Sequence, residues 1–180
     1  MSTLRLNVPT VLTLSRIVLI PFFVLTVENH PLLGAAVFGI ASLTDFLDGH
    51  MARRSGQITK FGIIMDPLAD KLLIISALIV LVDIERLAVE IAIILIVRDF
   101  MITGLRVVAL SKDIVIAAEM GGKLKTAAQI TGVLCLILVG TPIDRFPFDL
   151  YDVGLVSLWI AVVLAVVSGV QYSIAFWKKS

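Results

Sequence analysis

Residues 45–70 read DFLDGHMARRSGQITKFGIIMDPLAD, with Asp45 and Asp48 at one end, Asp66 and Asp70 at the other, and Arg53, Arg54 and Lys60 between them. The flanks are apolar, since residues 32–44 before the stretch and 72–82 after it contain no charged side chain. The pattern predicts two helices joined at one end by a short basic connection, with an acidic pair on each. Asp45 and Asp48 are three residues apart and Asp66 and Asp70 four apart, so each pair shares a helical face within roughly 60°. Ionisable groups in apolar helices are expensive, about 2.5–3.5 kcal/mol each near the centre of a bilayer, and their presence calls for a function. Four carboxylates brought together lose their charge unless cations neutralise them. Oxygen ligands, with no Cys or His at the patterned positions, favour a hard ion, Mg2+ with Mn2+ or Ca2+ as relatives. A cup of four carboxylates suits two ions about 3.5–4 Å apart. The alternative is that each pair is a solvated interfacial face.

The small residues in the stretch also have two readings. Gly49, four after Asp45, and Gly62, four before Asp66, let a flat group approach the backbone; with Ala52 and Ala69 they would equally let two membrane helices pack closely. Arg53 lies one turn beyond Gly49, where it pairs with a carboxylate, reaches a phosphate or marks the cytoplasmic side, and Thr59 offers a hydroxyl. His50 falls off the face shared by the aspartates and is expected to be interfacial.

Further out, the whole chain is apolar. Of its 180 residues 59% are hydrophobic and 16% charged, against about 25% charged in a soluble domain, and the mean hydropathy is +1.06. This is the composition of a membrane protein. A formal net charge of +1 lacks the basic footprint of a nucleic-acid binder. The single cysteine, Cys135, excludes an internal disulfide and a four-cysteine zinc site. About 20 apolar residues cross a bilayer as a helix, and six such runs stand at 8–27, 33–52, 62–82, 88–110, 124–140 and 153–177. The expected fold is an all-α bundle of six transmembrane helices forming one domain over residues 1–180. Residues 1–7 are expected along the interface, and 141–152, with Pro142 and Pro147, as an external turn. The first run is read as a mature span, since it leads into further spans without a small-residue cleavage site. Arg5, Arg53, Arg54, Lys60, Arg106, Lys112, Lys123, Lys125, Lys178 and Lys179 fall on one side, against Arg86 and Arg145 on the other, which puts both termini in the cytoplasm.

Written as a pattern, Asp45, Asp48, Gly49, Ala52, Arg53, Gly62, Asp66 and Asp70 give D-x2-D-G-x2-A-R-x8-G-x3-D-x3-D. Fixed residues at fixed gaps across two helices are specific where a lone acidic pair is not. At every one of these positions the chain resembles the CDP-alcohol phosphatidyltransferase family. The resemblance implies a six-helix integral membrane enzyme, usually homodimeric, in which an alcohol displaces CMP from a CDP-linked lipid. It implies that Asp45, Asp48 and Asp66 hold Mg2+ or Mn2+, two ions in all, and that Asp70 joins the second ion and serves as general base. Gly49, Arg53 and Thr59 would then contact the CDP moiety of the lipid.

The acceptor has to be read elsewhere. NVPTVLTLSR at 7–16, DPLADK at 66–71, RDFMITGLR at 98–106 and GGKLKT at 121–126 resemble the branch of that family whose acceptor is glycerol 3-phosphate, giving phosphatidylglycerophosphate from CDP-diacylglycerol in phospholipid biosynthesis. Asp99 departs from that branch, many of whose members carry Glu there. A phosphorylated acceptor needs cations, and Arg98, Arg106, Lys123 and Lys125 are the candidates. Arg98 and Arg106, eight apart, share a face, and Lys123 opens a helix whose first N–H groups favour phosphate. Alternatively these cations only mark the cytoplasmic side while Arg98 pairs with Asp99. Rival acceptors within the family are phosphatidylglycerol, as in cardiolipin synthase, and an inositol phosphate. A divalent-cation transporter is the rival of another class, disfavoured because the carboxylates cluster at one face rather than at the midplane. The expected setting is a bacterial inner (plasma) membrane, with the site cytoplasmic and a second copy of the chain as partner.

Overall fold

In the computed structural model the backbone is described for residues 8–55, 60–111, 120–145 and 149–179, and side chains for 18–44, 71–105, 107–109, 121–144 and 149–177. Six α-helices follow one another: α1 (Val8–Val27), α2 (Pro31–Ser55), α3 (Lys60–Asp83), α4 (Val89–Ser111), α5 (Met120–Leu138) and α6 (Leu150–Lys179), with a 3-10 turn at Pro142–Arg145. No strand occurs among the described residues. Each apolar run of the sequence corresponds to one helix, and no end moves by more than four residues. Residues 1–7 lie outside the described ones. The chain divides into two compact units, Met1–Val80 and Leu81–Ser180.

In the first unit α1 and α2 form a tight hairpin. Pro31 opens α2, where its missing N–H leaves no bond unmade. The His30 N–H donates to the Thr26 carbonyl at 2.8 Å and the Gly34 N–H to the His30 carbonyl at 2.9 Å. A Cβ on Gly34 would stand 2.8 Å from Cα and Cβ of Val27, so only glycine permits this approach. The hairpin closes on Phe23 and Phe38, both fully buried, with ring centroids 5.8 Å apart and planes tilted by 41°. Leu73, Ala77 and Leu78 make the buried stripe of α3.

The second unit begins as α3 ends. The Glu85 N–H donates to the Val82 carbonyl at 3.0 Å and the Arg86 N–H to the Leu81 carbonyl at 2.9 Å, with Glu85 at φ +57°. This is a Schellman stop with a non-glycine residue at the left-handed position. Arg86 then donates through Nη1 to the Leu136 and Ile137 carbonyls at 3.0 and 2.9 Å, satisfying groups that the last turn of α5 leaves open. Gly140, at φ +74°, ends that helix by turning the chain, and its N–H meets an Asp144 carboxylate oxygen at 2.8 Å. The sequence predicts α5 to run to residue 140; the left-handed glycine and the Arg86 cap stop it at Leu138. Asp149 caps α6, accepting the Tyr151 N–H at 2.8 Å, and so starts the helix three residues before the expected 153.

α5 and α6 run antiparallel in close contact. A Cβ on Gly132 would lie 2.7 Å from Cγ of Leu158 and 3.0 Å from the Gly154 carbonyl oxygen, and one on Gly154 would lie 2.7 Å from Cγ of Leu136. Two glycines thus let the backbones meet, as small residues do in membrane helix pairs. The buried face of α6 repeats at helical spacing through Leu158, Ala161, Val162, Ala165, Ser168 and Tyr172. Its other face is just as apolar, with Val156, Trp159, Val163, Val166, Val170 and Ile174 exposed. A helix in water would be polar there. The stretch Leu150–Trp177 is 28 residues long, about 42 Å at 1.5 Å per residue, which exceeds a bilayer core of about 30 Å. Among the described residues it is the one stretch long and apolar enough to cross a membrane, and Val18–Val27 and Pro31–Thr44 are shorter apolar stretches.

Candidate active site

The eight patterned positions fall on helical backbone. Asp45, Asp48, Gly49, Ala52 and Arg53 belong to α2 and Gly62, Asp66 and Asp70 to α3, all within the first unit. Each acidic pair therefore has the one-turn spacing that the sequence predicts. Thr59 and the side chains of these eight residues lie outside the described ones. Carboxylates three and four apart on helical backbone are of a kind that would suit a hard cation such as Mg2+ or Mn2+.

In the second unit a charged cluster ties three helices together. Asp99 of α4 receives Arg98 Nη1 on one oxygen at 3.1 Å and Lys125 Nζ of α5 on the other at 2.6 Å. Lys125 is 3% exposed, and the Arg98 and Asp99 side chains are 17% and 16% exposed. Arg98 also reaches α6, donating through Nε to the Ala165 carbonyl at 2.9 Å and through Nη2 to the Ser168 hydroxyl oxygen at 2.6 Å. The Ser168 hydroxyl in turn donates to the Leu164 carbonyl at 2.6 Å. The main-chain carbonyl of Asp99 accepts the Thr103 hydroxyl at 2.7 Å. All three nitrogens of Arg98 thus donate within the protein, and the guanidinium and ammonium are oriented before any ligand arrives.

Of the four cations predicted to face a phosphate, Arg98 and Lys125 are brought together on Asp99. Lys123 is exposed near the start of α5, and Arg106 lies on α4 two turns beyond Arg98, its side chain outside the described residues. The pairing of Arg98 with Asp99, one of two possibilities open in the sequence, is present. Sequence reasoning gave no role to α6, yet Ser168 and the Ala165 carbonyl anchor Arg98. The signal was faint: Ser168 is the first polar residue after the unbroken apolar run 158–167. The capping role of Arg86 was likewise hidden, because its partners are carbonyls fifty residues away in the chain.

Among the described residues the chain is helical with apolar outer faces and carries paired aspartates on two consecutive helices. The family model described as CDP-alcohol phosphatidyltransferase matches residues 6–167, and the chain belongs to that family. It is 41% identical to the CDP-diacylglycerol–glycerol-3-phosphate 3-phosphatidyltransferase of Bacillus subtilis (strain 168), over 96% of each chain. It is 36% identical to the Haemophilus influenzae protein of the same name, over 94% of this chain and 92% of the relative. A third relative of that name, from Wigglesworthia glossinidia brevipalpis, is 32% identical over 97% of each chain.

Proposed function

We propose that this chain transfers a phosphatidyl group from CDP-diacylglycerol to sn-glycerol 3-phosphate, releasing CMP and forming phosphatidylglycerophosphate for phospholipid biosynthesis. The observation that carries this is near full-length similarity to relatives named for that activity, 41% identical over 96% of both chains in one case, together with an intact acidic motif.

The chemistry divides by helix. Asp45, Asp48 and Asp66, with Asp70, would hold two Mg2+ or Mn2+ ions, which when bound offset the negative charge that gathers on the departing CMP. Gly49, Arg53 and Thr59 would contact the CDP moiety. The acceptor hydroxyl attacks the lipid-bearing phosphorus in line, and Asp70 takes its proton as the new P–O bond forms. The bond to CMP breaks with its electron pair leaving on CMP, so no covalent enzyme intermediate is required. Arg98, Arg106, Lys123 and Lys125 would hold the acceptor phosphate. Arg98 and Lys125 suit this because they are two fixed cations against the single Asp99 carboxylate, an arrangement that favours an anion. The six helices would each cross the membrane, with both termini and the α2–α3 connection cytoplasmic and two copies of the chain in the working enzyme. The Lys and Arg distribution and the apolar outer face of α6 support that placement.

The test is CMP release from CDP-diacylglycerol by detergent-purified protein with Mg2+ or Mn2+, comparing glycerol 3-phosphate, phosphatidylglycerol, serine and inositol 1-phosphate as acceptors. Release confined to glycerol 3-phosphate is expected. Release with another acceptor alone would refute the acceptor assignment, and cation flux into liposomes without CMP release would refute the enzyme.

A further inference from the structure

Gln129 lies on the inner face of α5, one turn beyond Lys125, and is fully buried. Among the described residues neither its Nε2 nor its Oε1 has a hydrogen-bond partner. Burying an amide in this state is destabilising relative to an apolar side chain of the same shape, and such a group in a native structure needs an explanation. Its surroundings narrow the choice. The contacts of Gly121 with Ser168, Gly132 with Leu158 and Gly154 with Leu136 set an antiparallel register that puts Ala165 level with Lys125 and Ala161 level with Gln129. Ala165 is the residue whose carbonyl holds Arg98. Gln129 is therefore one turn along the same helix from Lys125, level with Ala161, whose side chain has no polar atom.

The geometry points to Gln129 as a specificity-determining residue that binds a hydroxyl of the acceptor while the neighbouring cations bind its phosphate. The inference deepens the proposed function and rests on it. The chemistry of the amide selects the ligand group: Nε2 donates and Oε1 needs a donor. A phosphate dianion has no hydrogen to give, whereas an alcohol both donates and accepts. In glycerol 3-phosphate the hydroxyl at C2, on the carbon next to the phosphate-bearing one, is the hydroxyl that does not react. Gln129 would read that C2 hydroxyl and leave the terminal one free to attack.

The experiment compares glycerol 3-phosphate with 3-hydroxypropyl phosphate, which keeps the reacting hydroxyl and the phosphate but lacks the C2 hydroxyl, in CMP release by wild type and Gln129→Leu. Wild type should prefer glycerol 3-phosphate by about 5- to 100-fold in kcat/KM, the range expected when a buried polar group is left unpaired. Gln129→Leu should lose most of that preference, its kcat/KM falling for glycerol 3-phosphate and staying level for the analogue, with KM for CDP-diacylglycerol unchanged. Its thermal stability should match or exceed that of wild type, because the substitution removes an unmet amide. Gln129→Glu and Gln129→Asn extend the test should the leucine variant not fold. An unchanged preference in a folded variant would overturn the inference and leave Gln129 with ordered water. No CMP release by wild type with either acceptor would instead overturn the proposed function.

Discussion

Asp99 accepts Arg98 on one carboxylate oxygen and Lys125 on the other, and the second of these is almost entirely shielded from solvent. Removing the carboxylate by Asp99→Ala leaves the Lys125 ammonium without its partner. The expected loss is about 3–5 kcal/mol, the scale for breaking one side of a buried pair, read as a large fall in Tm in detergent; a fall of only a degree or two would contradict it. Arg106→Ala should raise the apparent KM for glycerol 3-phosphate much more than that for CDP-diacylglycerol, and unchanged acceptor kinetics would remove Arg106 from the site. Asp70→Asn should lower turnover by about 100-fold or more, the range for loss of a general base, while CDP-lipid binding persists in part. At this scale the sequence was most informative where residues lie within one or two turns of each other. The aspartate pairs could be read because helical spacing alone puts each on one face. That Lys125 meets Asp99 could not be read, because the two are twenty-six residues apart and only the packing of α4, α5 and α6 joins them.

The existence and order of the six helices were legible, because apolar length dominates their placement. Their ends were less so, since they depend on capping. α5 stops at Leu138 through a guanidinium and a left-handed glycine, and α6 starts at Leu150 through the Asp149 cap. Glu85 tests the first kind of stop: at φ +57° it carries the cost of a left-handed non-glycine residue, so Glu85→Gly should stabilise the protein by about 1 kcal/mol. A lower Tm would mean that the Glu85 side chain contributes more than its backbone costs. The α5–α6 contact gives a sharper contrast. Gly132→Val puts carbon where Leu158 lies 2.7 Å away and should destabilise by about 1–3 kcal/mol. Gly104→Ala in α4, with nothing within 4 Å of the added carbon, should leave Tm unchanged or slightly raised. Equal effects of the two substitutions would mean that the glycine contact does not hold α5 to α6.

On the proposed reading, the molecule as a whole sits in a bilayer with its chemistry on the cytoplasmic side. Reporters fused to the two termini should both read cytoplasmic, and a cysteine placed in the 3-10 turn Pro142–Arg145 should label from the opposite face. Termini on opposite sides would contradict the proposed six spans. The membrane setting is legible in composition alone, whereas the acceptor rests on short segments around four cations whose geometry depends on tertiary packing. The stoichiometry of the transfer itself is therefore the decisive quantity. Radiolabelled glycerol 3-phosphate and CDP-diacylglycerol are incubated with purified protein and Mg2+ or Mn2+, and label in the lipid phase is measured beside free CMP. One labelled phosphatidylglycerophosphate should form for each CMP, with both reduced about 100-fold or more in Asp70→Asn. CMP released without label entering lipid would contradict the transfer.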